Sequence, residues 1–263
     1  MSLGTKGTSS SEWKSRMKCG ITIEARMGSS RLPGKVLKRA VGKPMLALMI
    51  ERLKRVRNID KIIVATTIKS ADDPIVELAE GVGIDYYRGS EDDVLGRVLE
   101  AAQHHGIDLI VETTGDCPLI DPGTVDLVVE TYLQSNVDYC SNVLTRSYPI
   151  GMDTQVFATE ILQDVAIRTN DPQDREHVSL YIYNHPELYK LKNVLSPPDL
   201  TASEWRLTLD TLEDYALIKT IFETLYPVKC DFSLADIFTL LKDRPDLLEI
   251  NSHVPHRWIG GTS

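Results

Sequence analysis

The chain has 263 residues, 42% of them hydrophobic and 25% charged, enough to bury a core in one large domain with at most a small appendage. Its net charge of −9 makes nucleic acid and anionic membrane poor partners, although a small anion can still bind where basic residues gather. Cys19, Cys117, Cys140 and Cys230 form no C-x-x-C spacing, so they read as free thiols of a reducing compartment, with no structural zinc.

Residues 1–17 are rich in Ser, Gly and Thr and lack the apolar stretch of a signal peptide. They read as a disordered lead-in, with Met17 a candidate for the original start. No apolar run approaches the ~18 residues of a membrane span, which places the protein in the cytoplasm. GITIEA (20–25) then predicts a first buried strand, followed by a Gly/Ser/Pro loop and a helix over 44–56 with Pro44 at its first position. IIVATT (62–67) predicts a strand, Asp73-Pro74 open a helix through Ala79, and DYYRG (85–89) is a short strand. A helix over 93–105 stops at Gly106; DLIVETT (108–114) is a strand, Asp121-Pro122 start a helix through about Leu133, and 137–143 is strand again.

The second half is less regular. Strands are predicted over 151–158, 189–195 and 205–210, and helices over 159–168 and 172–185. Thr211 and Asp214 form a capping pair for a helix over 212–225, Ser233 caps a last helix, and 252–263 is coil. Alternating strands and helices predict βαβ units: an α/β protein with a mostly parallel sheet covered on both faces. Ligands of such sheets bind beyond the carboxyl ends of the strands, here the loops after residues 25, 67, 114 and 210.

The first of those loops is the most informative. Between Ala25 and Ile50 stand six cations (Arg26, Arg31, Lys35, Lys38, Arg39, Lys43) and no acid. A charge run is ordinarily a solvated face, but this one follows a buried strand and carries Gly28, Gly34 and Gly42, which let backbone approach a ligand. It is not a P-loop, because five residues separate Gly28 from Gly34 and Val36 follows Lys35; the dinucleotide fingerprint is also absent. Side-chain cations without a shaped cradle suit a nucleoside triphosphate.

The stretch ARMGSSRLPGKVL (25–37), followed by GKPML and ERL, resembles the opening of the cytidylyltransferases that make CMP-activated sugars. Those include the acylneuraminate and 3-deoxy-manno-octulosonate enzymes, and the resemblance is strongest to the spore coat polysaccharide biosynthesis protein F family. VATT (64–67), YRGSEDDVLGR (87–97), TGDCPLIDP (114–122), GMDTQVF (151–157), DREHVSLYI (174–182) and LTLDTLEDYALI (207–218) continue it in order.

The resemblance implies a nucleotide-diphospho-sugar transferase fold, a three-layer α/β sandwich within one domain over 18–263, with a smaller sugar-binding and dimer-forming extension near 144–200. It implies transfer of CMP from CTP to a sugar, with Mg2+, in a homodimer serving cell-surface polysaccharide synthesis. It places Ala25, Arg26, Gly28, Arg31, Lys35, Thr66 and Thr114 at the nucleotide, with Arg26, Lys35 and Asp116 catalytic. Asp153, Gln155, Arg175 and His177 fall to the sugar side. Two positions depart from the pattern: Glu112 stands where Arg is common, and Gln155 where an acid is expected, which bears on the identity of the sugar.

Asp116 follows the strand 108–114, and Asp210 ends the predicted strand 205–210. Carboxylates at strand ends can face one crevice, and a sparse pair suits Mg2+ better than calcium or zinc. Each has a plainer use, as a turn residue and as a cap. His104 and His105 close a helix, where a cation suits the dipole, and Cys117 lacks a base to activate it. Two other readings compete: a glycosyltransferase of the same fold, which the single acid of Asp116-Cys117-Pro118 serves poorly, and a binding subunit without turnover, against which Lys35, Asp116 and Asp210 argue.

Overall fold

The computed structural model describes residues 17–256, so the lead-in before Met17 and the last coil residues (257–263) lie outside the described residues. Its sheet has seven strands: β1 (Cys19–Glu24), β4 (Lys61–Thr67), β5 (Asp85–Gly89), β6 (Leu109–Thr114), β7 (Tyr139–Ser141), β8 (Gln155–Ala158) and β9 (Leu191–Asn193), in the order β5-β4-β1-β6-β8-β7-β9. The β5-β4-β1-β6 half is parallel throughout, while β8 runs antiparallel to both β6 and β7. The expected mostly parallel α/β sandwich is therefore what the chain forms.

The layers follow from alternation along the strands. Ile21, Ile23, Val64 and Val111 pack against helices α1 (Met45–Leu53), α2 (Asp73–Val82) and α4 (Pro122–Gln134). Ile63, Ala65 and Ile110 point the other way, onto α3 (Val94–His104) and α5 (Thr159–Arg168). A further core gathers Met45, Leu119, Leu207 and Leu209 under α8 (Leu212–Leu225) and α9 (Leu234–Asp243), both opened by capping boxes, at Thr211/Asp214 and Ser233/Asp236. Residues 144–200 contribute β8 and β9 to the main sheet. Cys19, Cys117 and Cys140 are buried free thiols and Cys230 is an exposed one. Among the described residues no helix is long and apolar enough to cross a membrane.

Three segments differ from the sequence reading. Residues 205–210 form no strand: Arg206 makes a single bridge to Ile150, while the Leu207 and Leu209 amides donate to the carbonyls of Ile150 (2.8 Å) and Asp116 (2.7 Å). An extended apolar run threads the core there without a ladder partner. The helix expected over 172–185 is broken into α6 (Pro172–Glu176) and α7 (Leu180–Asn184), because the buried Val178 adopts a left-handed backbone with φ of 41°. The basic loop also hides a hairpin, β2 (Arg39–Ala40) with β3 (Lys43–Pro44), turned by Val41 and Gly42 at φ of 47° and 78°.

Candidate active site

β1 and β6 are neighbours with Glu24 opposite Thr114, so the loops that follow them leave the sheet side by side. Gly115 lets them touch: its amide donates to the Glu24 carbonyl at 2.8 Å, and a Cβ would sit 3.0 Å from that oxygen. The basic loop is pinned back by the Met27 amide, which donates to Asp72 (2.7 Å), and by the Gly34 amide, which donates to the Met27 carbonyl (3.0 Å). Gly34 makes that return at φ of 67°, and the buried Val36 anchors the short turn that begins at Lys35. The result is a cleft of about 250 Å³ between the loop, the β6 turn, α3 and the end of α6.

At its floor the Lys35 ammonium bridges two carboxylates, donating to Asp116 Oδ2 and to Asp210 Oδ1 at 2.9 Å each. Thr114 Oγ1 donates to the other Asp116 oxygen at 2.5 Å. Asp210 Oδ2 is met by Arg206 (2.8 Å) and Arg31 (3.0 Å). Arg206, only 5% exposed, also grips both oxygens of the fully buried Asp214, to which Asn251 donates as well. Withdrawal from water raises the Asp116 carboxyl, but the Lys35 charge and the Thr114 and Lys35 hydrogen bonds outweigh it and hold it down at about 2. Burial likewise lowers the Lys35 ammonium, and the two carboxylates lift it above the ordinary lysine value.

The opposite wall is different. Glu24 lines the cleft and touches Glu112 behind it on β6. Burial, opposed by Arg97 and assisted by Asp116, pushes Glu24 up to about 8; burial and the neighbouring Glu24 push Glu112 well above the carboxylate range. Among the described residues no donor reaches Glu24 Oε1 or Glu112 Oε2, both buried, so nothing offsets the cost of charging them there. Glu112 also meets the Ser179 hydroxyl, which donates to Gln155 Oε1 at 2.7 Å, and the Tyr139 hydroxyl donates to the same oxygen.

Of the residues singled out from sequence, Ala25, Arg26, Gly28, Arg31, Lys35, Thr114, Asp116 and His177 line the cleft, and Asp210 joins them through Lys35. Thr66, Asp153, Gln155 and Arg175 do not line it. Thr66 follows Ala65 and so takes the opposite sheet face, where it is fully buried. Asp153 is held by both Arg146 nitrogens (2.6 and 2.9 Å), Gln155 is tied into the Ser179 network, and Arg175 donates to the Ala166 carbonyl (2.7 Å). Arg206, Glu24, Arg97 and Glu176 are the residues that sequence reasoning missed. Glu24 and Arg97 left a signal, an acid in an apolar strand and a cation on the buried face of α3; Arg206 left none.

The all-oxygen donor set, with two carboxylates held around a single cationic atom, fits a hard divalent cation such as Mg2+. Among the described residues no three His, Cys, Asp or Glu side chains gather to cage a metal.

Residues 21–234 match the model of the family described as Cytidylyltransferase. The chain is 33% identical to the spore coat polysaccharide biosynthesis protein SpsF of Bacillus subtilis, over 85% of this chain and 94% of that one. It is 39% identical to a 3-deoxy-manno-octulosonate cytidylyltransferase of Geobacter sulfurreducens, over 76% and 88% of the two chains. A solved cytidylyltransferase of Leptospira borgpetersenii superposes with a TM-score of 0.85 at 33% identity, covering 92% of this chain and all of the other. The resemblance read from ARMGSSRLPGKVL and the segments after it thus holds along the chain, and with it goes the reaction class, CTP-dependent nucleotidyl transfer. A basic cleft floored by one lysine between two carboxylates is what this chain builds as a member of the cytidylyltransferase family.

Proposed function

We propose that the protein transfers CMP from CTP to a hydroxyl of a sugar, of the sugar-acid class, releasing diphosphate, as a cytoplasmic homodimer in cell-surface polysaccharide synthesis. The observation that carries the reading is the Lys35 ammonium between Asp116 and Asp210 at the floor of a cleft walled by the basic loop. Names of relatives, a spore coat polysaccharide protein and 3-deoxy-manno-octulosonate cytidylyltransferases, support the substrate class.

In this reading Arg26, Arg31 and Lys35 receive the triphosphate, and Ala25 and Gly28 give it close backbone approach. Lys35 takes up the charge that grows on the departing diphosphate. Asp116 and Asp210 hold Mg2+, which when bound neutralises phosphate charge and offsets what builds in the transition state. His177 and Arg97 also line the cleft, and in this reading they orient the sugar for in-line attack on the α-phosphorus. Positioning and charge account for the rate, with no covalent enzyme intermediate.

The test is diphosphate release with each of the four ribonucleoside triphosphates, Mg2+ and a panel of sugars that includes 3-deoxy-manno-octulosonate. Release with CTP and one sugar class is expected. Equal release with every triphosphate, or release without any sugar, overturns the reading.

A further inference from the structure

The four carboxylate oxygens that would hold a metal are all engaged by the protein. Asp116 Oδ1 accepts from Thr114 Oγ1, and more distantly from the Cys117 thiol (3.6 Å); Asp116 Oδ2 accepts from Lys35. Asp210 Oδ1 accepts from Lys35, and Asp210 Oδ2 from Arg31 and Arg206. Three cations thus attend two carboxylates. They differ in how they are held: Arg206 is locked by Asp214, whereas among the interactions described the Lys35 ammonium has only Asp116 and Asp210, and the Arg31 guanidinium only Asp210.

We infer that Lys35 is a stand-in for the metal: its ammonium holds Asp116 and Asp210 together in the free enzyme, and it leaves them for the triphosphate when metal and nucleotide load as a pair. The inference rests on the proposed reading of those two aspartates as metal carboxylates. A divalent cation arriving alone has to evict an ammonium that is already well partnered. It would then leave that ammonium, on a side chain 13% exposed, facing a double positive charge without an anion of its own.

A nucleoside triphosphate removes the obstacle. It brings about four negative charges to the mouth of the cleft, where Lys35 and Arg31 can turn to it while Arg206 keeps Asp210 in place. Each ligand therefore makes room for the other, and by linkage the gain is the same in both directions. The lysine gives the enzyme a built-in preference for the metal–nucleotide pair over either ligand alone.

The experiment measures Mn2+ binding to the full chain by its free-ion paramagnetic resonance signal, with no nucleotide present. Lys35→Met, which keeps length without charge, is expected to bind Mn2+ at least 10-fold more tightly than the wild type, and Lys35→Gln to fall between them. Arg26→Met removes a cation from the same loop that touches Glu91 rather than these carboxylates, and should change affinity by less than about 3-fold. A non-hydrolysable CTP analogue should tighten Mn2+ binding to the wild type, measured above its binding to the analogue alone, by more than it does for Lys35→Met.

If Lys35→Met and Lys35→Gln, both folded by thermal melt, bind Mn2+ no better than the wild type, the stand-in role is overturned. In that case an Asp116→Asn variant that loses analogue-dependent Mn2+ binding shows that the metal reading itself survives. If Arg26→Met gains as much as Lys35→Met, general electrostatics explains the effect and the inference is also overturned. If no form binds Mn2+ even with the analogue, the metal reading fails and takes the inference with it.

Discussion

The two walls of the cleft solve the problem of buried charge in opposite ways. Around Asp116 and Asp210 opposite charges meet one another: three cations lie within hydrogen-bonding distance of two carboxylates. Around Glu24 and Glu112 two carboxyls touch with one nearby cation, Arg97, whose own charge burial disfavours, and protons take the place of counter-ions. An ionised cluster held by exchangeable partners can trade them for a ligand. A buried carboxyl pair has no such partners to trade, and asks a ligand to accept a fixed surface. The first arrangement is suited to reaction, and the second to shaping what lies against it.

The largest expected effect comes from removing charge on the ionised wall. Asp116→Asn and Asp210→Asn should each lower turnover by roughly 100-fold or more, in the range of other lost charge-stabilising groups. The double variant should lose little beyond the worse single, since groups that act as a unit are non-additive. Turnover across a magnesium titration is the measurement. Strictly additive losses would separate the two carboxylates and break the comparison at its first term.

Arg206 tests how rigid that wall is. It is 5% exposed and joins Asp210 to the fully buried Asp214, so Arg206→Ala strands an uncompensated carboxylate in the core. Breaking a buried pair from one side costs about 3–5 kcal/mol, which in a chain of this size is on the order of 10 °C in melting temperature. Arg206→Lys should recover part of the charge but not the fork that serves two carboxylates. A melting temperature unchanged in Arg206→Ala would mean that Asp210 is held by the loop cations alone.

How legible all this was in the sequence depended on whether the signal was local. Apart from the β2–β3 hairpin, the strands and helices from β1 to α4 are legible to within one to three residues at most ends, because strand alternation and turn chemistry are local, and helix caps form at Thr211 and Ser233 as expected. The segment 205–210 looked like a strand for the same local reason, but its partners are the carbonyls of Ile150 and Asp116, which lie far away in the chain. Lys35 and Asp116 were found from a cation run and a turn beyond a strand. Arg206 was missed because its importance lies wholly in what it touches. Glu112 and Gln155 stood out only as departures from a family pattern; folding makes them register partners on β6 and β8, joined through Ser179, so the two oddities are one feature.

The smallest effect, and the one that most sharpens the contrast between the walls, is the pH dependence of that feature. Glu24 has its ordinary value of 4.5 in the unfolded chain and about 8 in the folded one, so between those values the folded state keeps a proton that the unfolded state has lost. Stability therefore falls as pH rises through this window, and levels off above it. Glu24→Gln keeps the size and hydrogen-bonding capacity of the protonated acid but cannot ionise, so it should lose that slope. Its margin over the wild type should grow from near nothing at pH 5 to at least ~1 kcal/mol at pH 8.5, about 2–4 °C in melting temperature for a chain of this length. Taking the difference between the two proteins cancels groups that do not touch Glu24, His177 among them, and leaves the titration of the Glu24–Glu112 pair. Arg97, Asp116 and Glu112 face this side chain in both proteins, and what the substitution removes is its charge. Parallel melting curves across the whole range would show that Glu24 is ionised in the folded state like the aspartates opposite, and that the two walls do not differ in kind.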